Sequence, residues 1–242
     1  MAKERLQKVL ARGGVDSRRK CEELILEGAV RVNRQVIDTL PAFVDPDTDV
    51  ITVSGRRIQT RPKVYYLLNK PKGVICTNSD PQGRRKAVDL VPASDRVFCV
   101  GRLDADTTGL ILITNDSELT NRLTHPKFGL AKRYVATING TIEGPQIERL
   151  KRGIWLSEGK TAPATVKVLK RGPRQSTLEI TLKQGLNRQI RRMLASEGLN
   201  VKALKRTRIG RIDIRGLGTG RYRMLKTPEV DYLRQATREK TR

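Results

Sequence analysis

The chain has 242 residues, with 49 lysines and arginines against 25 aspartates and glutamates, a net charge of +24. That excess goes well beyond what solubility requires and points to a polyanionic partner, nucleic acid first. Aromatic residues make up only 4%, which excludes stacking on many bases as the main binding mode, and no apolar run reaches the roughly 18 residues of a membrane span.

At about 100 to 200 residues per domain, this length accommodates a small domain followed by a larger one. The N-terminal MAKERLQKVL lacks the apolar core of a secretory signal, so the cytoplasm is the expected compartment. Cys21, Cys76 and Cys99 lie far apart with no CxxC, the pattern of reduced, mostly buried thiols rather than of a disulfide framework or a zinc ribbon. The single histidine, His125, leaves little material for a histidine-based triad or metal centre and is expected on a surface loop. No phosphate loop, dinucleotide fingerprint or metal cluster occurs, so neither cofactor nor metal is expected.

In chain order, ERLQKVLARGG places Leu6, Val9 and Leu10 at helical spacing with Arg5, Lys8 and Arg12 on another face, and ends at Gly13. Ser17 is placed to cap a second helix, SRRKCEELILEG, with Cys21, Leu24 and Ile25 inward and Gly28 as its stop. AVRVNRQVI then alternates as a strand, a turn and a second run. SGRRIQTRP reads as a last strand entering a linker. The expected domains are therefore residues 1–60, a linker at 61–63 and a second domain over 64–242.

In the second domain, VYYLLNKPKGVICT reads as strand, turn at Lys70-Pro71-Lys72-Gly73, and strand, and RVFCVGRLDADTTGLILIT repeats that pattern. Asp116 or Ser117 opens a helix through Leu123. KRYVATING, TAPATVKVL and STLEITL are strands, and LNRQIRRMLASEG is a helix stopped by Gly198. The intermixed elements lack regular βαβ repetition, so the fold class is α+β with a largely antiparallel sheet. GLGTG at 216–220 reads as a turn. Charge is uneven: 13 basic and two acidic residues between Lys183 and Lys226 give +11, whereas residues 1–60 carry 11 and nine, or +2. The second domain is the stronger electrostatic platform, and RNA affinity should fall steeply with salt.

Arg18, Arg19 and Lys20 crowd a helix N-terminus, where cations oppose the macrodipole unless something anionic is bound. The stretch RLQKVLARGGVDSRRKCEELILEGAVRVN resembles an S4 domain, an RNA-binding module, over about the first 60 residues.

Within this basic chain, GRLDADTTGL is acidic and turn-forming. Asp104, Asp106, Thr107, Thr108 and Gly109 are all turn residues, so a plain β-turn accounts for them. Two flanking apolar strands would, however, present Asp104 rigidly to a cationic surface, as an active site requires. A carboxylate shielded by RNA needs a cation nearby to stay ionised, and QIRRM supplies arginines without showing which one reaches it.

With NKPKG, KRYVATING, GLNRQIRRM and LKRTRIGRIDIRGL in order, GRLDADTTGL is similar to the catalytic motif of the bacterial ribosomal RNA pseudouridine synthases, and the match spans the whole chain. The resemblance implies the pseudouridine synthase fold behind the S4-like domain, and isomerisation of a uridine in RNA without cofactor or metal. It implies Asp104 as the catalytic aspartate, by attack on the sugar or by a glycal route, and Asp106 as its non-catalytic neighbour. Arg102 corresponds to the arginine that enters the space left by the flipped nucleotide. Tyr134 corresponds to the tyrosine that stacks on the target base, Ile190 to the apolar residue beside it, and Arg191 to the arginine that pairs with the aspartate. Arg188 stands where relatives often carry histidine, and Lys70 is structural or RNA-facing. RNA contacts are expected from Arg5, Lys8, Arg12, Arg18, Arg19, Lys20, Arg102, Arg188, Arg192, Lys205, Arg206 and Arg208. GLNRQIRRM and RTRIG are closer to the large-subunit enzymes, so 23S rRNA or a large-subunit assembly intermediate is the expected partner of a monomer, with 16S rRNA as the alternative. A non-catalytic S4-type RNA-binding or assembly factor is the other class; it would gain nothing from a carboxylate that repels phosphate.

Overall fold

A computed structural model describes residues 3–59 and 61–238, so Thr60 of the expected linker strand and the last four residues lie outside it. The chain divides into two compact units: Met1–Val64 with Ala93–Val97 and Asn115–Ser117, and Tyr65–Pro92 with Phe98–Thr114 and Glu118–Arg242.

In the first unit, α1 (Leu6–Arg12) buries Leu6, Val9 and Leu10, and α2 (Arg18–Leu26) buries Cys21 and Ile25. Ser17 caps α2, its hydroxyl oxygen accepting from the Lys20 N–H at 3.2 Å. At the other end Gly28, with φ +69°, turns the chain so that the Ala29 N–H reaches the Leu24 carbonyl at 3.0 Å. Strand β1 (Val30–Val32) pairs with β2 (Gln35–Ile37) across Asn33 and Arg34, both at positive φ as a tight hairpin turn demands. With β3 (Ile51–Val53) and β4 (Arg56–Arg57) the order is β2-β1-β3-β4. Leu6, Leu10, Ile25, Val30, Val44 and Ile51 form the core, while Arg5, Lys8, Arg18, Arg19 and Lys20 stay exposed.

The second unit is built on β5 (Tyr65–Lys70), β6 (Thr107–Thr114), β7 (Lys132–Asn139), β8 (Thr165–Lys170), β9 (Gln175–Leu182), β10 (Val201–Ile209) and β11 (Tyr222–Met224). Their order is β8-β9-β7-β10-β6-β5-β11, antiparallel except for the parallel pairing of β10 with β6. The two-residue strands Phe98–Cys99 and Ile212–Asp213 pair with β6 and β10. The helices are α3 (Ser117–Thr124), α4 (Gly144–Arg152), α5 (Gln189–Ser196) and α6 (Thr227–Ala236). Leu178, Ile180 and Leu182 of β9 pack with Ile190, Met193 and Leu194 of α5 and Leu150 of α4. Leu110 and Leu112 of β6 pack with Leu67, with Leu119 and Leu123 of α3, and with Leu233 of α6. This is the expected α+β class with a mostly antiparallel sheet.

Two local expectations fail. GVICT forms no strand beyond an isolated bridge from Ile75 to Lys86. Thr107, Thr108 and Gly109 belong to β6 rather than to a turn, because β10 pairs with all three and β5 pairs with Gly109 as well.

Candidate active site

The Gly101–Asp106 loop is held from below by Lys70. Its side chain is fully buried at the end of β5, and its ammonium donates to the carbonyls of Val74 (2.6 Å), Pro71 (3.1 Å) and, more loosely, Ala105 (3.5 Å). The Gly73 N–H donates to the same Ala105 carbonyl at 2.7 Å, and the Thr107 N–H closes the loop onto the Asp104 carbonyl at 3.1 Å. Burial pushes the Lys70 ammonium below the usual lysine range, against the opposing pull of Cys76, Asp106 and Asp104. Lys70 is thus a structural clamp beneath the two aspartates, and no surface is left for RNA to touch. Replacing Lys70 with Met takes the ammonium away from the Val74 and Pro71 carbonyls, leaving Ala105 its bond from the Gly73 N–H, and is expected to cost about 2 kcal/mol. Denaturant titration should show that loss together with faster amide exchange at Gly73; unchanged exchange would contradict the clamp.

Asp104 lies on the rim of a cavity of about 340 Å³ that also takes Arg102, Tyr134 of β7, Leu182 of β9, Arg188 just before α5, Ile190 of α5's first turn, and Leu204 of β10. Asp106 does not line it, so the two carboxylates are distinguished by position. Three neighbouring strands and α5 aim apolar or aromatic groups at the space beside one carboxylate. Tyr134 and Ile190 both line this cavity, and Tyr134 packs against the core cluster that holds Ile190; Ile190 is buried and Tyr134 half-buried.

The arginines differ from expectation. Arg191 does not pair with Asp104: its guanidinium sits 3.0 Å from the Asp106 carboxylate and donates to the backbone carbonyls of Asp106 (3.4 Å) and Val201 (3.2 Å). Arg188 is the residue that reaches Asp104, at 3.4 Å, and it also contacts Asp106 at 3.5 Å. The side chain lines up because Arg188, immediately before α5, adopts the left-handed conformation, φ 45° and ψ 32°, a strained geometry for a non-glycine that concentrates at functional sites. Arg191, on the helix, is better shielded than Arg188, with 13% of its side chain exposed against 45%. It braces the loop, and Arg188 faces the cavity.

Of the other cations expected to meet RNA, Arg206 is 3% exposed and donates through Nε to the Leu110 carbonyl at 2.7 Å, so it cannot reach an external phosphate. Arg192 is closed onto Glu158 and Ser157, and its guanidinium holds the Glu158 carboxyl down to about 2. Arg208 pairs with Asp213 at 3.1 Å, and Arg12 with Glu4 at 2.9 Å. Lys205 is half-buried on β10, and Arg102 is exposed at the cavity. Leu182, Leu204 and, beside the anticipated Arg188, the residues Gln184, Gly185, Leu186, Asn187 and Gln189 were not named for the site. The period-two pattern of STLEITL could have placed Leu182 on the inward face with Leu178 and Ile180. Leu204 enters only because β10 lies next to β7.

Residues 64–196 match the family described as RNA pseudouridylate synthase, and residues 4–50 match the S4 domain. The ribosomal large subunit pseudouridine synthase B of Bacillus subtilis is 45% identical over 234 residues, 96% of each chain. An uncharacterized RNA pseudouridine synthase of Aquifex aeolicus is 38% identical over 98% of this chain and 96% of its own length. A crystal structure of a pseudouridylate synthase superposes with a TM-score of 0.70 at 28% identity, covering 95% of this chain and 99% of that one. With its cavity, its paired aspartates and these likenesses spanning nearly the full length, the chain belongs to the RNA pseudouridylate synthase family.

Proposed function

We propose that the protein isomerises one uridine of large-subunit ribosomal RNA to pseudouridine, with Asp104 as the catalytic residue. The observation that carries this reading is that Asp104, and not Asp106, borders a cavity walled by Tyr134, Ile190 and Leu204, with the Arg188 guanidinium 3.4 Å from its carboxylate. The flipped uracil rests against Tyr134 and Ile190, which places the ribose at the carboxylate. Breaking the N1–C1′ bond, turning the base and joining C5 to C1′ releases the C5 proton and leaves N1 protonated, so the net change adds and removes no atoms, and apolar walls that keep water off the intermediate suit it. Flipping costs a few kcal/mol, and Arg102, exposed beside the cavity, is placed to occupy the gap in the strand. Residues 1–60 serve as the RNA-docking domain through Arg5, Lys8, Arg18, Arg19 and Lys20. The large-subunit assignment rests on the B-type relative of Bacillus subtilis and on GLNRQIRRM and RTRIG.

Pseudouridine mapping of ribosomal RNA, by carbodiimide labelling and primer extension, in cells with and without the protein tests it. One large-subunit uridine should lose its modification and regain it on complementation. Loss confined to small-subunit RNA would overturn the substrate, and loss nowhere, with no second enzyme for the site, would overturn the activity.

A further inference from the structure

The chain's one tryptophan, Trp155, is 75% exposed. It stands on a hairpin in which Trp155–Leu156 pairs antiparallel with Gly159–Lys160. Alternation along the strand sends Leu156 inward, against the core cluster that holds Ile190 and Leu194, and Trp155 outward beside its cross-strand partner Lys160. No ring or cation among the described residues lies against the indole. Left in water, so large an aromatic surface adds little to folding.

The hairpin is fastened to the catalytic cavity. Its base is closed by the Thr161 N–H, which donates to the Ile154 carbonyl at 2.9 Å, and by the Ile154 N–H, which donates to the Thr161 hydroxyl at 3.0 Å. Just beyond, the Ala162 N–H donates to Gln184 Oε1 at 3.0 Å. At the tip, Arg192 of α5 donates to the Ser157 hydroxyl at 2.8 Å and to Glu158 at 2.7 Å, and also to the Asn187 carbonyl at 3.3 Å. Gln184 and Asn187 both line the cavity that Asp104 borders. Two anchors therefore hold the indole's platform to the cavity's lip. Charge decides what it meets there. Arg192 neutralises Glu158, the hairpin's one carboxylate, while Lys160 and Arg152, the last residue of α4, are exposed and enter no ion pair among the described residues. An aromatic face beside free cations fits a polyanion that carries flat bases. A stable protein interface takes about 800 Å² from each partner, and the hairpin exposes no other large apolar side chain.

We propose that Trp155 stacks on an unpaired base of the RNA strand that leaves the cavity across its lip, with Lys160 and Arg152 on the adjoining phosphates. This rests on the assignment of the cavity to the isomerised uridine. Every base has a π-face, so the stack adds affinity and holds the strand at the lip without choosing its sequence.

Because Trp155 is the only indole, the tryptophan emission of the full-length protein reports on this contact alone. A synthetic large-subunit RNA fragment carrying the mapped uridine is titrated in. The emission should be quenched to saturation, and acrylamide should reach the indole less well in the complex. Abasic residues introduced one at a time should abolish the quenching at one position near the uridine. Trp155→Ala should weaken affinity about tenfold, and Trp155→Phe, which keeps an aromatic face, no more than about threefold. Unchanged emission and acrylamide access in the complex, undiminished affinity of Trp155→Ala, or quenching that survives every abasic substitution would overturn the stack. So would a response to whole large subunits but to no RNA fragment, which would give Trp155 to a ribosomal protein. Should no uridine be isomerised, the proposed activity fails, and fragments tiling the large-subunit RNA still decide the stack by the same emission.

Discussion

Asp104→Asn is expected to abolish isomerisation, lowering turnover by on the order of 10⁴-fold, while RNA affinity stays within about twofold. The amide keeps the shape of the carboxylate but supplies neither its charge for attack on the ribose nor its basicity for removing a proton, so both chemical routes close together. Folding should be almost untouched, because the pair with Arg188 is half-exposed at 3.4 Å, where such a pair contributes between zero and about 1 kcal/mol. Asp106→Asn serves as the internal control. That carboxylate faces Arg191 at 3.0 Å and does not border the cavity, so its loss should loosen the loop and reduce the rate by about tenfold rather than abolish it. Single-turnover kinetics on the mapped RNA, with affinity read by filter binding, separates the two. Substantial turnover by Asp104→Asn, or equal loss in both variants, would remove Asp104 from its role.

Gly109→Ala is expected to be the most damaging single methyl in the catalytic unit. A Cβ on Gly109 would stand 2.2 Å from the Arg206 carbonyl oxygen and 2.8 Å from its nitrogen, and the backbone there has φ +101°. These are backbone atoms of β10 in register with β6, so relief requires prising apart the one parallel strand pair of the large sheet. Backbone strain and lost ladder bonds together cost about 3 kcal/mol or more, equivalent to a melting point lower by roughly 10 °C for a unit of this size. Differential scanning calorimetry checks it, and a shift below about 2 °C would show that the strands part without penalty. Activity should fall with stability, since the same displacement moves Asp104, five residues upstream, and Leu204 on β10.

The sequence by itself determined what local chemistry dictates. The Ser17 cap, a turn within AVRVNRQVI and the strand of STLEITL follow from backbone preferences and periodicity, and each appears, the turn closing one residue earlier than expected, at Asn33-Arg34. The net charge of +24 and the run of ordered motifs pointed to RNA and to Asp104 before any coordinates. What only the tertiary structure decided concerns groups whose partners are distant along the chain. Thr107-Thr108-Gly109 has turn composition, yet forms strand because β10, some 95 residues later, pairs with all three and β5, some 40 residues earlier, pairs with Gly109. Arg206 looks like any surface cation in LKRTRIG, but its strand lies at the centre of the sheet and its side chain has nowhere to go but inward. Among the arginines of NRQIRRM, helical periodicity could not choose the partner of Asp104. The choice fell to Arg188 because a left-handed residue ahead of α5 directs its side chain outside the helical repeat, toward a loop 84 residues away. Side-chain pairing across such separations is set by how strands and helices stack, and that information is not local to any motif.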